Sequence, residues 1–318
     1  MNSPESPIVN PHISVVIPIY NEEDNLPELH RRLKDVLGGE LQVTYEMIFV
    51  DDGSYDNSWN VVKDLRRQNA HVKGIRFSRN FGHHTAISAG LNHSEGNVVV
   101  MMDGDLQDPP EEIPKLYRKL KEGYDIVYAI RDTRKDPILK KVASKFFYRV
   151  FRLLANVEIF LDCGIFRVMS RRSVDALRAC QERSRLITAL MSWTGFSHIG
   201  VRTERTARYA GKTKYSLFKS VILAIDGITS FSYFPLRLAT YFGFVAAIIS
   251  SFTGIYMLVK KLFYGIPILG YASIIVSVLF IGGVQLVIIG IMGEYVGRIY
   301  TEVQNRPMYI IEEKLGVD

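Results

Sequence analysis

Asp103-Gly104-Asp105 is followed closely by Gln107 and Asp108, so carboxylate and amide oxygens crowd one short segment. Residues two apart on extended backbone project to the same side, which would bring Asp103 and Asp105 together. Gly104 between them lets a ligand approach the backbone. So small a set of hard oxygen donors suits Mg²⁺ or Mn²⁺ held jointly with a substrate's phosphates. Asp-Gly and the Pro109-Pro110 that follows are also turn signals, and an acidic turn capping a helix has the same composition. On these residues alone both readings stand.

The neighbouring sequence bears on the choice. Val98 to Met102 is an unbroken apolar run, β-branched at its start, as suits a strand buried on both faces of a parallel sheet. Open α/β sheets bind ligands just beyond the carboxyl ends of such strands. Two further runs end the same way: Ile13 to Ile19 in Tyr20-Asn-Glu-Glu, and Tyr45 to Val50 in Asp51-Asp-Gly-Ser54. A nucleotide site at the sheet's carboxyl edge requires that repetition. Tyr20 could stack on a base, and Glu22 or Asp52 could accept hydrogen bonds from base or ribose. Asp51 to Ser54 is equally the composition of a β-turn with a helix cap. Arg79 to His84 forms a polar loop before a helix, and His83 and His84 lack a third His or Cys at ligand spacing, so they read as loop contacts. Neither an N-terminal Gly-x-Gly-x-x-Gly nor a Walker-type Gly-x-x-x-x-Gly-Lys-Ser/Thr loop occurs, which argues against a dinucleotide domain and against ATP hydrolysis.

The elements that must carry these clusters alternate. Strands are expected over Ile13–Ile19, Tyr45–Val50, Gly74–Phe77, Asn97–Met102 and Asp125–Ala129. Helices are expected from near Asn25, where Leu26, Leu29, Leu33, Val36 and Leu37 recur at helical spacing, and over Ser58–Asn69 and His84–Asn92. That order predicts a doubly wound α/β domain with a mostly parallel sheet.

The last third of the 318 residues is different in kind. Leu238 to Val259 and Tyr271 to Met292 carry no charge, and each is about 33 Å long as a helix, enough to span a bilayer. The short link from Lys260 to Gly270 predicts an antiparallel hairpin. Its two ends then share a side with Arg202, Arg205, Arg208, Lys212, Lys214, Lys219, Arg237, Arg298 and Arg306, which positive-inside reasoning makes cytoplasmic. Gly282, Gly283, Gly290, Gly293 and Gly297 offer small-residue contacts for a homo-oligomer. Ile138 to Val157 mixes five basic residues with Phe, Tyr and Leu, and Tyr215 to Phe231 is apolar around much of its circumference. Both read as helices lying at a membrane surface. Packing against the α/β domain would account for either. The N-terminus lacks the basic segment and apolar core of a secretory signal, so the first domain is expected in the cytoplasm. A formal net charge of +6 favours anionic partners. The charge clusters beside the apolar segments and no nucleic-acid motif accompanies it, so phosphate and acidic lipid are expected rather than nucleic acid. Two cysteines, Cys163 and Cys180, form neither a metal cluster nor a disulfide framework.

PIYNEE, VDDGSYDNS, RNFGHHTAISAG and MDGDLQDPPE, in this order and spacing, resemble glycosyltransferase family 2, whose fold is called GT-A. Within it they are most similar to the polyisoprenyl-phosphate sugar transferases, above all the bactoprenol glucosyltransferases, with dolichol-phosphate mannose synthases more distant. The resemblance implies that Pro18, Tyr20, Glu22, Val50 and Asp52 hold the nucleoside. It implies that Asp103, Gly104, Asp105 and Gln107 form the metal and sugar-diphosphate site, with Asp105 and Gln107 as direct ligands of Mg²⁺ or Mn²⁺ and Asp103 beside them. Arg131 matches a phosphate-contacting Arg. Lys140, where the family usually has Arg, and Ser144 match residues near the acceptor phosphate. Asp162 matches an Asp that positions the reacting groups. Arg208 and Lys214 match a basic loop that closes over the donor diphosphate.

The resemblance divides the chain into a nucleotide-sugar core (1–134), a juxtamembrane helix (135–157), the rest of the catalytic domain (158–214), a second juxtamembrane helix (215–234), two transmembrane helices (235–298) and a cytoplasmic tail (299–318). It implies glucose transfer from UDP-glucose to undecaprenyl phosphate, with GDP-mannose or a UDP-aminoarabinose derivative as other donors. A lipid phosphate is already an anion, so it needs positioning by cations more than a general base. In-line attack would invert the anomeric centre and give a β-linked product. A processive polysaccharide synthase would need a Q-x-x-R-W motif and further spans, and neither is present. A catalytically inactive membrane scaffold is the rival of a different class, and the intact Asp103, Asp105 and Gln107 speak against it.

Overall fold

The computed structural model describes residues 10–131, 163–180, 182, 187–204, 232–264 and 270–317. The expected juxtamembrane helices fall outside these residues except for 232–234, of which Phe234 begins the first long helix. Compactness divides the chain into two units: one holds the sheet and includes Arg306 onward, and the other holds the two long helices.

In the first unit the strands are β1 (Ile13–Ile19), β2 (Tyr45–Asp51), β3 (Val72–Phe77), β4 (Val98–Met101), β5 (Ile126–Arg131), β6 (Cys163–Ser170), β7 (His198–Thr203) and β8 (Ile311–Leu315). They form one sheet in the order β7-β5-β6-β4-β1-β2-β3-β8. β4, β1, β2 and β3 run parallel, while β6 and β8 are antiparallel to their neighbours. β1 and β2 are buried at every position, which is why their sequences are apolar apart from Ser14, Glu46 and Asp51 and do not alternate.

Among the described residues the unit also has helices α1 (Leu26–Lys34), α2 (Ser58–Gln68), α3 (His83–His93), α4 (Ile113–Lys121), α5 (Arg171–Ala179) and α6 (Ile187–Trp193). α1 turns Leu26, Leu29 and Leu33 into the core and carries Pro27 in its first turn, where no helical hydrogen bond is lost. α3 lies so close on β1 that a Cβ at Gly90 would sit 2.3 Å from Val16 Cγ1. That glycine sets the approach of the helix that begins at the site.

The tail expected over 299–318 supplies β8, which pairs with β3 from Gly74↔Leu315 to Phe77↔Ile311. In the second unit, α7 (Phe234–Tyr264) and α8 (Tyr271–Val303) are long and apolar enough to cross a membrane. Both run beyond the spans expected from charge alone. Tyr295 of α8 donates its hydroxyl to the Ser232 carbonyl at 2.7 Å, just before α7 begins.

Candidate active site

The site is built where β1, β2 and β4 end. Pro18 and Val50 are register partners on β1 and β2, and the Asp52 N–H continues the ladder to the Ile19 carbonyl at 3.0 Å. The two polar turns beyond them are sewn together. Asn21 N donates to Ser54 Oγ (3.0 Å), Tyr55 N to Asn21 Oδ1 (2.9 Å), Glu22 N to Ser58 Oγ (2.9 Å) and Asn57 N to Glu23 Oε2 (2.9 Å). Asn21 takes a positive φ of 56° to allow it, a conformation Asn tolerates better than most residues. Glu22 accepts from Asn25 Nδ2 at 2.5 Å, and the rings of Tyr20 and Tyr55 meet edge to face at 6.3 Å.

Asp52 is buried and its carboxylate is committed to the backbone of the next loop. Oδ1 accepts from Phe81 N (2.7 Å) and Oδ2 from Gly82 N (3.0 Å). Burial raises the pKa of this group above the ordinary carboxylate value, and the two N–H donors pull the other way. Behind it Gly53, at φ +70°, leaves no room for a side chain: its Cβ would lie 2.5 Å from the Arg79 carbonyl carbon. Turn 51–54 and loop 79–82 are thus locked face to face.

The acidic segment comes to the same edge from β4. Met102 N donates to the Val16 carbonyl at 3.2 Å, and a Cβ on Gly104 would touch Ile19 Cγ2 at 3.2 Å and the Pro18 carbonyl at 3.5 Å. Asp103 Oδ1 lies 3.4 Å from His83 Nε2, at the start of α3. Asp105 is buried, and its Oδ1 accepts from Gln107 N at 3.1 Å across Leu106, which takes a φ of +58°. The acidic turn is therefore real, and it is folded against the ends of β1 and α3 and not spent as a helix cap.

His84, one residue deeper in α3, has a pKa lowered to about 4, first by burial and then by the charges of His83 and Arg167. Arg167, on β6 opposite Met101, is fully buried with its guanidinium 5.0 Å from the Tyr128 ring centroid.

The fold thus gathers Pro18, Tyr20, Glu22, Val50, Asp52, Asp103, Gly104, Asp105 and Gln107 at neighbouring strand ends. Arg131 ends β5, which runs parallel to β4, so its backbone stands at the same sheet edge. Asp162, Lys140, Ser144, Arg208 and Lys214 lie outside the described residues. Sequence reasoning had no means of finding Asn21, Ser54, Ser58 and the Phe81 and Gly82 amides as the groups that hold the site together. Their partners are turn residues about thirty positions away in the chain, and no periodicity marks such contacts.

Residues 14–178 match the family described as Glycosyl transferase family 2. The chain is 42% identical to an uncharacterized glycosyltransferase, sll0501, of Synechocystis sp., covering 96% of each chain. It is 41% identical to the SfII prophage-derived bactoprenol glucosyl transferase of Shigella flexneri, covering 95% of this chain and 97% of that one. A glucosyl-3-phosphoglycerate synthase of Mycobacterium tuberculosis, solved with Mn²⁺, UDP and glucosyl-3-phosphoglycerate, superposes on 69% of this chain and 78% of its own at a TM-score of 0.46 and 18% identity. The protein is a member of glycosyltransferase family 2, with a GT-A catalytic unit followed by two long apolar helices.

Proposed function

We propose that the protein transfers glucose from UDP-glucose to undecaprenyl phosphate, with inversion, to give a β-linked lipid-phosphate sugar. The observation that carries this reading is an acidic pair folded against the ends of β1 and α3, in a chain similar over 95% of its length to a bactoprenol glucosyl transferase. Tyr20, Glu22 and Asp52 then receive the nucleoside, with Pro18 and Val50 assigned to the same site as the residues at the ends of β1 and β2.

The donor set fits a divalent ion. Asp103, Asp105 and Gln107 offer hard oxygens, too few to fill a divalent ion's coordination shell, so substrate phosphates would supply further ligands. Asp105 and Gln107, with Asp103, would hold Mg²⁺ or Mn²⁺, which supplies positive charge against the diphosphate that leaves. Arg131, Arg208 and Lys214 are assigned to the same leaving charge, Lys140 and Ser144 to the acceptor phosphate, and Asp162 to positioning the reacting groups. The acceptor arrives ionised, so the chain needs cations to orient it and no strong base.

The two long helices support an integral membrane protein with the catalytic unit on the cytoplasmic face. β8 strengthens the one-sided topology: the chain leaves the sheet-bearing unit, passes through α7 and α8, and returns to the same sheet. Asp105→Ala is expected to abolish lipid glucosylation in membranes, by about 100-fold or more, while the protein still inserts and folds. Full activity in that variant would remove the acidic segment from the reaction, and a wild-type protein without transfer activity would favour the scaffold reading.

A further inference from the structure

The segment after the apolar helices does more than cover a sheet edge. The Tyr309 ring stacks on Phe77 at 4.9 Å and 18°, and Phe77 meets Phe81 edge-on at 5.7 Å and 89°. Phe81 in turn carries the Arg79 guanidinium 4.1 Å over its ring and gives its N–H to Asp52. Ser78, which leads from β3 into the loop, donates its N–H to the Ile310 carbonyl at 3.0 Å. Asn92 of α3 donates to the Tyr309 hydroxyl at 3.3 Å. A second line runs beside the first: Arg76 Nε lies 3.6 Å from Asp51 and 3.5 Å from Glu312. Val50, Phe77, Phe81, Tyr309 and Ile311 belong to one small apolar cluster on this side of the sheet.

From these contacts we infer that the C-terminal segment positions loop 79–82 against Asp52, with Tyr309 as the positioning residue, and so sets the affinity for the donor's nucleoside diphosphate. This rests on the reading of Asp52 and its surroundings as the nucleoside site. The cause is mechanical. Two amides of the loop are fixed to Asp52, and Gly53 packs against its backbone without slack, so a shift of Phe81 carries the nucleoside-side turn with it. The opposite end of β8 lacks this reach: Leu315 pairs with Gly74 and packs near Trp59 and Val62, on the strand's far side from the loop. Leu315 is therefore the internal control.

The test measures UDP binding with Mn²⁺ by calorimetry on full-length protein in nanodiscs, with amide hydrogen exchange of residues 79–82 as the second readout. Tyr309→Ala should raise the Kd for UDP about threefold to tenfold and speed exchange in the loop. Tyr309→Phe, which keeps the stack, should restore both. Leu315→Ala should lower the melting temperature while leaving Kd and loop exchange at wild-type values. Should Tyr309→Ala fail to fold, Tyr309→Leu, which keeps apolar bulk without the ring, carries the same expectation. Unchanged UDP affinity in the Tyr309 variants, or an equal loss in Leu315→Ala, overturns the inference alone. A wild-type protein that binds no UDP overturns the donor-site reading and this inference with it.

Discussion

Single residues at the strand ends do two jobs, and their environments separate the jobs. Asp52 is bound up in holding backbone, whereas Asp103 keeps part of its carboxylate in solvent beside His83. Gly53 is a pure conformational requirement. Its positive φ and the 2.5 Å approach to Arg79 predict that Gly53→Ala loses about 1–3 kcal/mol of stability, read from denaturant melts, because both strain and collision must be relieved. His84 should be neutral throughout the physiological range. With a folded-state pKa near 4 against an ordinary 6.5, the unfolded chain takes up its proton first, so stability falls as pH drops from about 6.5 toward 4. An NMR titration finding His84 protonated at pH 6 would contradict the burial argument.

At the scale of elements, β5 and β6 are fastened at the edge remote from the site. Asp125 is buried, and it accepts from Arg172 Nη2 at 2.6 Å, from Ser197 Oγ at 2.8 Å and from Ser170 Oγ at 3.0 Å. The Arg172 hydrogen bond is the first cause holding its carboxyl at about 2. The stabilisation is complete above about pH 4 and is lost as pH falls through 2. Asp125→Asn should cost about 2 kcal/mol at neutral pH and flatten the acid limb of the stability curve, with no change in donor affinity.

Legibility also divides by element. β1, β2 and β4 are evident from their apolar runs, because strands buried on both faces need such sequences. β6 is hidden by Arg167 at its centre, a charge that becomes legible only once Tyr128 is known to lie beside it. β8 is hidden more thoroughly. Ile-Glu-Glu-Lys-Leu reads as a charged tail, and its glutamates find their purpose only in Trp59 Nε1 at 2.7 Å, Lys63 at 2.8 Å and Arg76. The acidic motif was readable from composition, while the hydrogen bonds that tie turn to turn were not.

Across the whole molecule, the order of elements states how the two halves relate in sequence: sheet, two apolar helices, and sheet again. A cysteine at Gly270, in a protein with Cys163 and Cys180 replaced, should label from outside intact cells. One at Val317 should label only after permeabilisation. The reverse pattern would contradict a cytoplasmic catalytic unit. The measurement that bears most directly on the central claim is the lipid product itself. Purified protein, undecaprenyl phosphate, Mg²⁺ or Mn²⁺ and a panel of nucleotide sugars are combined, and the lipid is read by mass spectrometry and NMR. UDP-glucose should give undecaprenyl phosphate heavier by one hexose, β-linked and absent with Asp105→Ala; an unmodified lipid with every donor, or an α-linked product, would contradict it.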